Sequence, residues 1–175
     1  MQRSDFTSNF TILNHCQETF GQWHFERGMC FADSEKWWVP GKRRPTRHEG
    51  IDFCCYRAQN QEIIWFDEKT KVPVLYDGHI GEIFDDFLGK SVLVRHFSEN
   101  ELQFCSIYAH IDPAQAIKIR HDVSAGQCIG RCSSGKTLPA HLHLSVLWLP
   151  ASVKALDWQL LVKLPEYFTD PFIYI

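Results

Sequence analysis

No stretch of about 18 consecutive apolar residues occurs in this chain, so no membrane-spanning helix is expected. The opening residues, Met1-Gln2-Arg3-Ser4-Asp5-Phe6-Thr7-Ser8-Asn9, lack the basic start and continuous apolar run of a secretory signal. For the chain as written that reads as cytoplasmic, with the periplasm or cell envelope open only to another export route. Charge of one sign is also missing: 18 Lys and Arg stand against 21 Asp and Glu, a formal net charge of -3. A strongly basic, phosphate-tracking surface is thereby excluded, and nucleic acid with it, although Lys42, Arg43, Arg44 and Arg47 form a small positive cluster. An even cysteine framework is absent too. The seven cysteines are scattered, with Cys54 and Cys55 adjacent, which fits free thiols better than a disulfide scaffold. Internal repeats, low-complexity tracts and linkers are lacking, and the sequence carries no signature of an oligomeric state.

What is present suffices for one core. Of the 175 residues, 45% are hydrophobic and 14% aromatic, enough for a single domain. Turn signals recur at Pro40-Gly41, Glu49-Gly50, Asp77-Gly78, Leu88-Gly89, Ala125-Gly126 and Ser134-Gly135. Between them lie short β-branched and aromatic runs at 62–66, 72–76, 91–95, 103–108 and 141–146, which predict an all-β, mostly antiparallel domain whose sheet floors a groove. Helical periodicity is poor in the middle of the chain. A short helix is expected within 151–164, where Val153, Leu156, Leu160 and Leu161 could share a face. Residues 1–43, with Trp23, Phe25, Trp37 and Trp38, read as an aromatic-rich extension on a core of 44–149, and 150–175 as a tail.

Three motifs carry chemistry. In His141-Leu142-His143-Leu144 the two histidines are two residues apart, so on a strand both imidazoles point to one face while the leucines point to the other. In His48-Glu49-Gly50-Ile51-Asp52-Phe53, Gly50 and the apolar residues that follow argue for a turn entering a strand, from which an imidazole and a carboxylate can approach one ion. His48, Asp52 and His143 would give zinc three ligands and leave a fourth tetrahedral position open. The helical zinc-protease signature is absent, because Asp52 occupies the place of its second histidine. The third motif is Tyr108-Ala109-His110-Ile111, a histidine closing an apolar strand. Singly, each of these residues has an ordinary structural alternative: a turn cap for His48, an acceptor of backbone N–H bonds for Asp52, a turn or core residue for His110, a surface pair for His141 and His143.

Taken together and in this order, the three motifs resemble those of the lysostaphin-like peptidoglycan endopeptidases, also called LytM-type or duplicated hybrid motif metallopeptidases. Val72-Pro73-Val74 with Asp77-Gly78 resembles the family's strand pair after the first motif. Ala125-Gly126-Gln127-Cys128-Ile129-Gly130 with Ser134-Gly135 resembles its glycine-rich approach to the last. The likeness covers roughly residues 44–149 and departs at Ala140, which separates Pro139 from His141. It implies a zinc metalloendopeptidase acting on peptide, with cell-wall cross-links as the substrate class. It also implies His48, Asp52 and His143 as zinc ligands and His110 and His141 as the non-ligand catalytic histidines. The rivals are a catalytically inactive zinc-binding module of the same fold and an all-β carrier domain whose histidines serve group transfer without metal. A structural zinc site using Cys128 and Cys132 is a minor further possibility, since buried cysteine mostly behaves as a small hydrophobe.

Overall fold

A computed structural model describes residues 2–153 and 156–175. The chain opens with helix α1 (Phe6–Leu13) and strand β1 (Phe20–Trp23), both within the segment read as an extension. Short strands β2 (Ile51–Phe53), β3 (Cys55–Ala58), β4 (Ile63–Trp65) and β5 (Lys71–Pro73) follow. Three long strands come next: β6 (Gly78–Asp85), β7 (Lys90–Glu99) and β8 (Leu102–Pro113). After β9 (Asp122–Val123) and β10 (Cys128–Cys132), the chain runs through β11 (Leu142–Pro150), helix α2 (Trp158–Leu161) and β12 (Phe168–Thr169). Every strand pair is antiparallel, and the main sheet has the order β12-β11-β8-β7-β6-β9. Strand β2 joins it beside β11, β10 joins beside β8, and β1-β3-β4 form a separate small sheet. The β-rich, antiparallel class expected from the sequence is the class observed.

Alternation along β8 and β11 divides the buried residues into two layers. Phe104, Tyr108, Leu142, Leu144 and Val146 face the larger core, while Cys105, Ile107, Ala109, Leu147 and Leu149 face a second one. His143 and Ser145 fall on the side of Leu147, as a period of two demands. Tyr108 belongs to the core: its hydroxyl accepts from the Leu75 N–H at 2.7 Å, and burial pushes its pKa up.

Helix α1 was not anticipated. It spans eight residues, too few for intrinsic propensity to hold it in water, and it persists because Phe6 and Phe10, one turn apart, are both buried. Phe6 meets Phe53 at 5.5 Å between ring centroids, and Phe10 meets Trp23 at 4.8 Å. Since Phe6 is fully enclosed by this cluster, Phe6→Ala is expected to lower unfolding free energy by about 3–5 kcal/mol, read as a shifted denaturant midpoint at unchanged slope. A midpoint that stays put would show the extension to be an appendage.

The expected span 151–164 includes 154 and 155, which lie outside the described residues; helix α2 occupies four residues of the rest. Asp157 caps it, its side chain accepting from the Leu160 N–H at 2.8 Å. The shared apolar face does not form: Leu156 and Leu161 are buried, whereas Leu160 is 39% exposed. Among the described residues no helix is long and apolar enough to cross a membrane.

Candidate active site

Strand register brings the distant motifs together. On β11, His143 stands opposite Asp52 of β2 and, across its other edge, opposite Ala109 of β8. Gly50 permits the close approach of β2, because a Cβ there would meet the Ser145 Oγ at 2.8 Å and the His143 ring at 2.9 Å. His48, four residues before Asp52, reaches the same point. Its Nε2 lies 3.1 Å from Asp52 Oδ1 and 3.0 Å from His143 Nδ1, and His143 Nδ1 lies 2.8 Å from Asp52 Oδ1. All three side chains are buried, and among the described residues they form the one group of three or more His, Cys, Asp or Glu close enough to share an ion. Cys128 and Cys132 join no such group, and all seven cysteines are free thiols.

The surroundings of this triangle restrict where its protons can be. His48 Nδ1 lies 2.9 Å from the Cys30 carbonyl, which can only accept, so Nδ1 carries the proton and the neutral ring turns a lone pair at Nε2 inward. Asp52 Oδ2 accepts from Trp37 Nε1 at 2.8 Å and from Arg44 at 2.9 Å, leaving Oδ1 for the triangle. His143 Nε2 is 2.8 Å from the Ser145 hydroxyl. With both imidazoles neutral, three electron-rich atoms then share at most one proton, that of His143 Nδ1. Burial alone would raise the Asp52 carboxyl, yet the charge and hydrogen bond that His48 brings when it is protonated, with the hydrogen bond from His143, set it well below the ordinary carboxylate range. Burial in turn pushes the His143 imidazole down, against the pull of Asp52.

The two remaining histidines stand beside this group. His110 approaches His141 with ring centroids 4.8 Å apart and His143 at 5.8 Å. His141 Nδ1 lies 2.9 Å from the Pro139 carbonyl and must donate to it, so the neutral ring keeps a lone pair on Nε2. Burial lowers its pKa to about 4, and it is neutral at pH 7. His110 reaches the site by breaking the alternation of β8. Its φ of +62° lies in the left-handed region, β8 bulges against β7 here, and Ile111 rather than His110 takes the core position after Tyr108.

Five residues singled out in the sequence thus come to one place, and four others with them went unrecognised. Trp37 and Arg44 pin Asp52; Arg44 belongs to the small positive cluster of the sequence, yet its side chain is only 15% exposed and its guanidinium lies over Trp38 at 4.8 Å. Asp86 is buried against His110, and Trp158 lies edge-on to His143 with centroids 5.8 Å apart. The site opens into a cavity of about 440 Å³ whose wall includes Trp38, Phe87, Leu138, Trp158 and Val162, with Glu49 and Asp85 as carboxylates on its lining. Burial would raise Asp86, but the hydrogen bond and charge of His110 hold it below the usual carboxylate range.

Comparison with solved structures places this fold. The catalytic domain of the antimicrobial peptidase lysostaphin from Staphylococcus simulans aligns over 94% of this chain and 96% of its own, with a TM-score of 0.55 and 17% identity. The longer lysostaphin structure aligns over 90% of this chain and 52% of its own at 19% identity and a TM-score of 0.53, so this chain spans about half its length. A solution structure of lysostaphin gives the same TM-score and identity over 89% of this chain and 53% of its own. Family models gave no match, and neither did curated proteins.

Proposed function

With a lysostaphin-type fold as the frame, we propose that this chain is a zinc-dependent metalloendopeptidase. In this reading His48, Asp52 and His143 hold the ion, and His110 and His141 act on the substrate. The observation that carries it is the triangle of three buried donor atoms 2.8–3.1 Å apart, each ligand held from behind by a partner of its own. A tetrahedral ion with bonds of 2.0–2.1 Å needs donors about 3.3 Å apart, so the triangle would open by only a few tenths of an ångström. Two imidazoles and one carboxylate are a donor set of the catalytic zinc type, and outer hydrogen bonds that fix imidazole tautomers are a usual accompaniment.

When bound, zinc supplies Lewis acidity toward a peptide carbonyl and toward water. The protein's own groups do the rest. His141, neutral with its Nε2 lone pair available, is suited to accept a proton. His110, whose Nδ1 donates to Asp86, presents Nε2 as a proton acceptor; once protonated there, the imidazolium is held by Asp86 and can hydrogen-bond the developing oxyanion or pass that proton to the leaving amine. Trp38, Leu138 and Trp158 give the cavity an apolar wall for the peptide to lie against. The same reading takes 1–175 as one metallopeptidase domain in which the segment before His48 completes the site through Trp37 and Arg44. Its substrate class is a peptide, and the likeness to a peptidase named as antimicrobial supports bacterial cell-wall cross-links.

The test is hydrolysis of murein and of short glycine- and alanine-rich peptides by zinc-loaded protein, with and without a chelator. Cleavage that stops with chelation and returns with zinc is the expected result. Stoichiometric zinc without any cleavage would favour the inactive module, and no bound zinc at all would favour a carrier domain.

A further inference from the structure

The carboxylate of Asp86 lies in the turn just after β6, outside every motif discussed so far, and its side chain is 1% exposed. Its Oδ1 accepts from the backbone N–H groups of Leu88 and Gly89, both at 2.8 Å, and lies 3.1 Å from His110 Nδ1. Its Oδ2 accepts from the Ser91 hydroxyl at 2.8 Å and from the backbone N–H of His110 at 2.9 Å. Five donors converge on one carboxylate, and two of them belong to His110.

Both contacts fall where His110 departs from strand geometry. At φ +62° its N–H has left the ladder between β7 and β8, whose register skips between Lys90 and Val92, and Asp86 is its acceptor instead. An ionised carboxylate can only accept, so the shared proton belongs to His110 Nδ1 and the ring nitrogen left for the cavity is Nε2. The turn that Asp86 closes carries Phe87, whose ring lies 4.5 Å from that of His110 on the opening of the cavity. Ser91 extends the network to the far wall by accepting from Trp158 Nε1 at 2.8 Å.

We propose that Asp86 is a positioning residue for His110: it fixes the backbone turn and the ring tautomer together, so that Nε2 faces substrate. The proposal rests on the peptidase reading for its consequence, but the tautomer it requires does not depend on turnover. Two measurements on the zinc-loaded full chain test it. Nitrogen-15 NMR of histidine-labelled protein should place the proton of neutral His110 on Nδ1; a proton on Nε2 alone would overturn the proposal, whether or not the protein cleaves peptides. Asp86→Asn, similar in shape but bringing an N–H against the same donors, should keep stoichiometric zinc. Its kcat should fall about 10- to 100-fold with KM within about threefold. Unchanged kcat, a raised KM at full kcat, or loss of zinc would each contradict it. If Asp86→Asn does not fold, the tautomer of the parent protein decides alone; if the parent protein does not cleave, the peptidase reading fails and the tautomer still judges Asp86.

Discussion

Replacing His143 with alanine is expected to lower zinc affinity by well over 100-fold, because it removes one of three ligands rather than an outer support, whose loss commonly costs 10- to 100-fold. The remaining pair, His48 Nε2 and Asp52 Oδ1, stands 3.1 Å apart and satisfies two coordination positions at most. Asp52 would keep Trp37 and Arg44 on Oδ2, so the carboxylate stays paired and the variant is expected to fold. Chelator competition gives the affinity and circular dichroism checks the fold. Equal zinc content in the parent and in a folded His143→Ala protein would count heavily against the assignment.

The second large effect separates chemistry from binding. His110→Ala and His141→Ala should both retain stoichiometric zinc and each lose about 10²- to 10⁴-fold in kcat, the range spanned by a positioned proton-transfer group. Neither ring nitrogen belongs to the triangle: His141 is turned to the Pro139 carbonyl and His110 to Asp86. For His141 the neutral state is favoured by burial, which lowers its pKa to about 4, so a proton acceptor is present throughout the neutral range. Zinc lost along with activity in either variant would mean that the ligand and catalytic roles have been divided wrongly.

The contrast between what the sequence disclosed and what it hid has a physical basis. The spacing of two residues in His141-Leu142-His143 states its own geometry, since a strand has a period of two, and the leucines do enter the core. Local runs of β-branched and aromatic residues likewise marked β4, β7, β8 and β11. The convergence of Asp52 with His143 is a matter of register between strands 91 residues apart, which no local pattern encodes; resemblance supplied it, and the pairing of β2 with β11 realises it. The supporting residues had no such marker. Arg44 in a run of basic residues reads as surface charge until a buried carboxylate is found beside it. Asp86 announces only a turn through Leu88-Gly89, and its grip on His110 crosses 24 positions. Helix α1 was hidden because tertiary packing of Phe6 and Phe10, rather than periodicity over several turns, holds it.

Most direct for the central claim is anomalous scattering at the zinc edge from crystals of the zinc-loaded chain. The expected result is a single strong site within bonding distance of His48 Nε2, Asp52 Oδ1 and His143 Nδ1. A zinc peak elsewhere, or none at those three atoms under saturating zinc, would contradict it.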